Sequence, residues 1–152
     1  MKLAEALIQR ADAQKRLEQL RQRLNRSAKV QEEEQPPENP QELLAELDRV
    51  ITEITRLIQQ INRTNASTQY DENRTLTDIL AERDMLMLRR NVLVTTINAA
   101  TTQPRYGRME IKEFPTINIA DVQKQVDDLS RQYRELDTAV QQLNWTIDLI
   151  ED

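Results

Sequence analysis

Three arginines stand where apolar residues belong. Arg10 interrupts the stripe Leu3, Ala6, Ala13, Leu17, Leu20, Leu24. Arg83 and Arg90 interrupt the stripe Leu76, Ile79, Leu86, Leu93, Ile97, Ala100. A guanidinium buried alone is very costly, so each must pair with a carboxylate, bond backbone oxygens or reach water. Asp12, Asp84, Glu135 and Asp137 are the candidate partners. Two kinds of chemistry follow. The planar guanidinium fork matches carboxylate and phosphate, so arginines gathered at one level would form an anion- or small-ligand-binding pocket. Arginines scattered along the seams would form ion pairs that set helix register and subunit number. The second is the plainer expectation.

Other chemistry is sparse. The chain has no His and no Cys. That removes Ser-His-Asp and Cys-His nucleophiles, the usual zinc sites, disulfides and the Glu-x-x-His di-iron motif. No compact carboxylate pattern points to a metal. No catalytic residue, metal ligand or cofactor is assigned, and the chain is not expected to be an enzyme.

The elements that must position the arginines are long helices. Of the 152 residues, 38% are apolar and 31% charged, with a single Gly, which is the profile of solvated helices each carrying one apolar stripe. The clearest stripe lies in the last third: Ile119, Val122, Val126, Leu129, Tyr133, Leu136, Val140, Leu143, Ile147 and Ile150. Its steps alternate three and four, the spacing of a coiled-coil seam. The helices are expected at about residues 3–25, 40–63, 76–100 and 119–150. Asn39 with Pro40 marks the second start and Asn118 the fourth. The connection after Ile61 is rich in Asn, Thr and Ser, which break helices.

Two pieces read as extended, about residues 28–32 and 108–114. The second alternates, with Met109 and Ile111 on one side and Glu110 and Lys112 on the other. The expected fold is therefore all-α: an antiparallel four-helix bundle with a small two-stranded or extended element, in a single domain over residues 1–152.

The third helix is apolar over more of its circumference than the others. Met85, Leu88 and Val92 lie off its main stripe. Such a helix is central in its bundle or shared with another subunit, and a four-helix bundle has no centre. Self-association is expected, through Met85, Leu88, Val92, Met109, Ile111 and Trp145. The partner is a second copy. Nucleic acid is not expected, because the net charge is −5 and no aromatic residue is interleaved among the basic ones. The basic first helix, with eight basic and three acidic side chains in residues 1–30, should instead pack beside the acidic later helices, in residues 31–75 and 116–152. Glu5 and Arg10 interrupt any signal-peptide core, and no apolar run is long enough to span a membrane, so a cytoplasmic location is expected.

Several stretches together resemble a known family. They are Lys2-Leu3-Ala4-Glu5-Ala6-Leu7-Ile8 with Arg10-Ala11-Asp12, Val30-Gln31-Glu32, Ile61-Asn62-Arg63-Thr64-Asn65, Ala81-Glu82-Arg83-Asp84, and Gln125-Val126-Asp127-Asp128-Leu129 through Tyr133-Arg134-Glu135-Leu136-Asp137 to Asn144-Trp145. The combination resembles the small bacterial helical proteins labelled "septicolysin", over nearly the whole chain. That label implies haemolytic or pore-forming activity; no catalytic residue carries over from it. Three functions stay open: a self-assembling structural protein, an anion or small-ligand binder, and a cytolysin.

Overall fold

The structure, a computed structural model, describes residues 1–102 and 111–152. It is all-α, with four long helices: α1 (Leu3–Ser27), α2 (Pro40–Ser67), α3 (Leu76–Thr101) and α4 (Ile119–Thr146). The chain forms two compact units. One is Met1–Thr68 with Gln142–Asp152, the other Gln69–Gln141.

In the first unit α1 and α2 run antiparallel. Ala13 and Leu20 of α1 are buried against Leu43, Val50 and Ile54 of α2, with Leu17, Leu24, Leu47 and Ile58 at the margin. Charge follows the same pairing. Arg16 reaches Glu53 at 2.9 Å, and Arg23 reaches Glu38 at 2.7 Å and Glu46 at 3.5 Å. The basic helix thus lies along α2, the first of the acidic later helices that its composition suggested as neighbours. The Arg23 fork on Glu38 holds that carboxyl below its ordinary range. The loop between the helices contains a turn in which the Glu34 N–H donates to the Gln31 carbonyl, 3.1 Å. Glu33 sits there at φ 70°, in the left-handed region.

Helix α2 continues to Ser67, past the expected end near residue 63. The helix-breaking tendency of Asn62-Arg63-Thr64-Asn65 is overridden by packing. Thr64 is buried, and its hydroxyl donates back to the Gln60 carbonyl at 2.8 Å. The Thr64 hydroxyl oxygen in turn accepts the Ile150 N–H at 2.9 Å. Gln60 is also buried and donates to the Glu151 carbonyl at 2.9 Å. Two polar side chains on an otherwise apolar face are there to hold the C-terminal tail.

That tail corrects a second expectation. Helix α4 stops at Thr146, not at residue 150. After the Ile147 N–H bonds the Leu143 carbonyl (2.9 Å), the chain turns extended. The Leu3 N–H then donates to the Ile147 carbonyl (3.0 Å), and the Leu149 N–H to the Met1 carbonyl (2.9 Å). The Lys2 ammonium caps the helix end through the Thr146 carbonyl at 3.0 Å and pairs with Asp148 at 2.7 Å. A cation at a helix C-terminus is favourably placed against the dipole. Leaving the helical register buries Leu149, while Ile150, the last member of the expected stripe, is 38% exposed.

In the second unit α3 opens with a reciprocal cap. The Asp78 N–H donates to Thr75 Oγ1 (3.3 Å), and the Thr75 N–H donates to Asp78 Oδ2 (2.8 Å). Helix α4 opens on Asn118, whose Oδ1 accepts from the Asp121 N–H at 3.1 Å. The two helices are antiparallel. Arg83 on α3 meets Asp137 on α4, and Arg90, seven residues on, meets Ser130, seven residues back.

Among the described residues the expected two-stranded element is not found. Residues 28–32 and residues 111–114 carry no strand. Residues 108–110 of the second piece lie outside the described residues. Among the described residues the β-type contacts are two isolated bridges, Lys2 with Asp148 and Gln69 with Thr75. An alternating run becomes a strand only where another edge satisfies its backbone, and the described residues of these pieces carry no such pairing.

Candidate functional site

Helix α3 carries apolar side chains on more sides than its neighbours cover. Only Leu76 and Ile79, in its first turn, are buried. Beyond them Leu80, Leu86, Met87, Leu93, Val94 and Ile97 are half-buried. On the outer side Met85, Leu88 and Val92 are 57%, 53% and 55% exposed. The file they belong to is Ala81, Met85, Leu88, Val92, Thr95 and Ala99, all exposed, with steps of four and three. This is a second seam written on the same helix.

A groove of about 660 Å³ borders that file. Met85, Leu86, Leu129 and Leu136 give it apolar walls; Arg74, Arg89, Glu82 and Glu135 give it two charges of each sign. A polar node closes the end from which α3 starts. Asp71 accepts the N–H groups of Asn73 (2.9 Å) and Arg74 (2.8 Å), which folds residues 71–74 into a tight turn. The Arg74 side chain reaches Asp71 and Glu82, each at 2.6 Å, and lies 5.5 Å from the Tyr70 ring centre. The Arg74 guanidinium, with the Asn73 N–H, holds the Asp71 carboxyl below its ordinary range. Sequence reasoning missed this node. Its one visible signal was Asp71 three residues before Arg74, in a stretch expected only to turn the chain. A second hollow, about 780 Å³, is lined by Thr96, residues 99–102 and residues 111–117.

The three seam arginines divide. Arg83 and Arg90 lie in the second unit and Arg10 in the first. Arg83 Nη1 donates to Asp137 at 3.1 Å, and its Nε to the neighbouring Asp84 at 3.3 Å. Arg90 Nε donates to Ser130 Oγ at 2.8 Å, and its Nη1 to Asn91 at 3.2 Å. Each is taken by its own partner across the hairpin, two helical turns apart, with no shared centre between them. Two of the four anticipated partners, Asp84 and Asp137, are used. Arg10 Nε is buried without a protein hydrogen-bond partner.

Of the other surface residues singled out, Trp145 is 55% exposed in the first unit, and Ile111 is 75% exposed in the second. Met109 lies outside the described residues. Among the described residues no group of acidic side chains could hold a metal ion. No described helix is long and apolar enough to cross a membrane.

The model of a family of unknown function, DUF6847, matches residues 10–149. The crystal structure of a functionally unknown conserved protein from Corynebacterium diphtheriae is 44% identical in sequence. The match covers 99% of each chain with a TM-score of 0.92. No curated protein matches the chain.

Proposed function

The chain belongs to the DUF6847 family, and we propose that it is a non-enzymatic, cytoplasmic assembly module that works by self-association. One observation carries this reading. A helix of 26 residues buries two of its side chains, while Met85, Leu88 and Val92 face solvent in one file. Helices of this kind draw their stability from packing, and a stripe left open favours a partner helix. The coiled-coil seam of a four-helix bundle belongs to the same reading, since the three-four spacing of α4 is what such packing needs. Arg83 and Arg90, already bonded across the hairpin, act as register pairs and not as an anion pocket. Nucleic acid is excluded from the reading by the net charge of −5. Sedimentation at micromolar concentration tests it: the expected result is a dimer or larger species, and Leu88→Glu should shift it to monomer. A wild-type protein that stays monomeric up to about 100 µM, where Kd would exceed that of a specific interface, defeats it.

The same open file favours a second reading, the membrane lysis implied by resemblance to the septicolysin-labelled proteins. An apolar helical face flanked by charge, with a half-exposed Trp145 elsewhere, can lie in a lipid interface. Dye release from anionic vesicles separates the two. Leakage lost in Leu88→Glu would support lysis; leakage equal to buffer at micromolar protein removes it.

A further inference from the structure

We propose that the occupant of the α3 face is the α3 face of a second copy, docked antiparallel about a two-fold axis between Leu86 and Met87. The proposal rests on the assembly reading above and adds its geometry. The open file runs Ala81, Met85, Leu88, Val92, Thr95, Ala99. In an antiparallel pair centred between Leu86 and Met87, Met85 lies against the partner's Leu88, and Val92 against the partner's Ala81. Asp78, beyond the file, meets the partner's Thr95. Large residues meet at the centre and a large residue meets a small one at the next layer, which is how facing helices interdigitate without voids. A parallel pair would set Met85 on Met85 and Ala81 on Ala81, crowding one layer and leaving the other open.

Charge supports the same occupant. The residues one step along from the seam are Glu82, Arg89 and Thr96. In the antiparallel pair these edges face each other, so Glu82 of each copy lies beside the partner's Arg89, twice by symmetry. Among the described residues Arg89 makes no ion pair within its own chain. The groove that Arg89 lines is neutral overall, with Arg74 and Arg89 against Glu82 and Glu135. A surface with equal numbers of both signs is complementary to itself and selects against a strongly basic or acidic ligand.

The area is adequate. A 26-residue helix is about 39 Å long, and two helices side by side are about 20 Å wide. One α3–α4 hairpin face therefore offers roughly 800 Å², the amount a standard stable interface takes from each partner, when the groove-lining side of α4 joins α3 in the contact. Two α3–α4 hairpins joined this way complete a four-helix bundle from two chains.

The chain contains no cysteine, so introduced thiols report on register without background. Ala81→Cys and Val92→Cys variants, which face each other in this geometry while each lies about 16 Å along the axis from its own symmetry mate, are prepared separately and treated with a short thiol–thiol cross-linker, alone and mixed. The expected result is a covalent dimer in the mixture and in the double variant, and none from either single variant alone. Arg89→Glu should weaken the dimer at low salt, and Glu82→Arg in the same chain should restore it. Covalent dimers from each single variant alone would mean a parallel pair. No cross-link in a protein that sediments as a dimer would mean another surface. Either result overturns this geometry and leaves self-assembly standing; a wild-type monomer overturns both.

Discussion

Arg83 Nη1 on α3 lies 3.1 Å from Asp137 Oδ1 on α4, in a half-buried pair that sets the register of the hairpin. Arg90 repeats the arrangement at Ser130 Oγ, 2.8 Å away. We expect these bonds to position the helices and to add modestly to stability. A double-mutant cycle with Arg83→Met and Asp137→Ala should give a coupling of about 0.5–1 kcal/mol by chemical denaturation, since both side chains keep some contact with water. Phosphate or small carboxylates at millimolar concentration should leave Tm unchanged in wild type and in Arg83→Met. A ligand-dependent rise in wild type that is absent in Arg83→Met would make the arginine a binding residue.

Leu57 and Leu88 make a matched pair of tests. Leu57 is fully buried in the α1–α2 unit, whereas Leu88 is 53% exposed. Leu57→Ala should cost about 2–5 kcal/mol, from lost burial and the cavity left behind. Leu88→Ala, measured in dilute protein, should change folding stability by less than about 0.5 kcal/mol. Its effect should appear instead in the concentration dependence of sedimentation.

Thr64 tests the tail. Its Oγ1 accepts the Ile150 N–H at 2.9 Å from a buried position. Thr64→Val keeps the shape and removes the acceptor, so it should cost about 1–3 kcal/mol. Amide exchange at Ile150 should speed up, while that of Val50, in the middle of α2, should change only as far as global stability does.

Three carboxyls are held below their ordinary range by a partner cation: Glu38 by Arg23, Asp71 by Arg74 and Asp148 by Lys2. A depressed carboxyl contributes stability that is complete above its unfolded pKa and is lost as pH falls through its folded value. Tm should therefore be flat between about pH 6 and 8, where a chain without His has little to titrate. It should fall as the pH drops below about 4, the ordinary carboxylate value. Glu38→Gln should remove part of that acid limb and lower Tm at neutral pH.

Glu33 stands at φ 70° without being Gly or Asn. Side chains with a Cβ are strained there, so Glu33→Gly should stabilise the protein by about 0.5–1 kcal/mol. An unchanged or lower midpoint in urea would mean that the loop relaxes at no cost.

The helices were legible because their signals are local. Asn39 before Pro40 and Asn118 are caps that act within one turn. The alternating spacing of apolar residues likewise needs no knowledge of the partner. The errors fall where the deciding contact is distant. Residues 64–67 are helical because Thr64 receives a backbone N–H from Ile150, 86 positions away. The last helix ends early because Lys2, 144 positions back, holds the Thr146 carbonyl. The alternation read for residues 108–114 gives no strand over the described residues 111–114, because a period of two states a preference and not a pairing partner. Of the candidate site, the surplus of apolar residues on α3 could be read directly. Its groove could not, since Leu129, Gln132 and Leu136 enter only once α4 is laid beside it.

The rungs between α3 and α4 restrict how relatives can differ in length. Arg83 meets Asp137 and Arg90 meets Ser130, each rung one heptad from the next on both helices. One residue inserted between Arg83 and Arg90 would turn the remainder of α3 by roughly 100°. Arg90 would leave Ser130, and the outer file would wind off its line. Relatives can therefore lengthen this hairpin only by matched insertions, about seven residues in each helix at the same level, while the connection between the helices is free to vary.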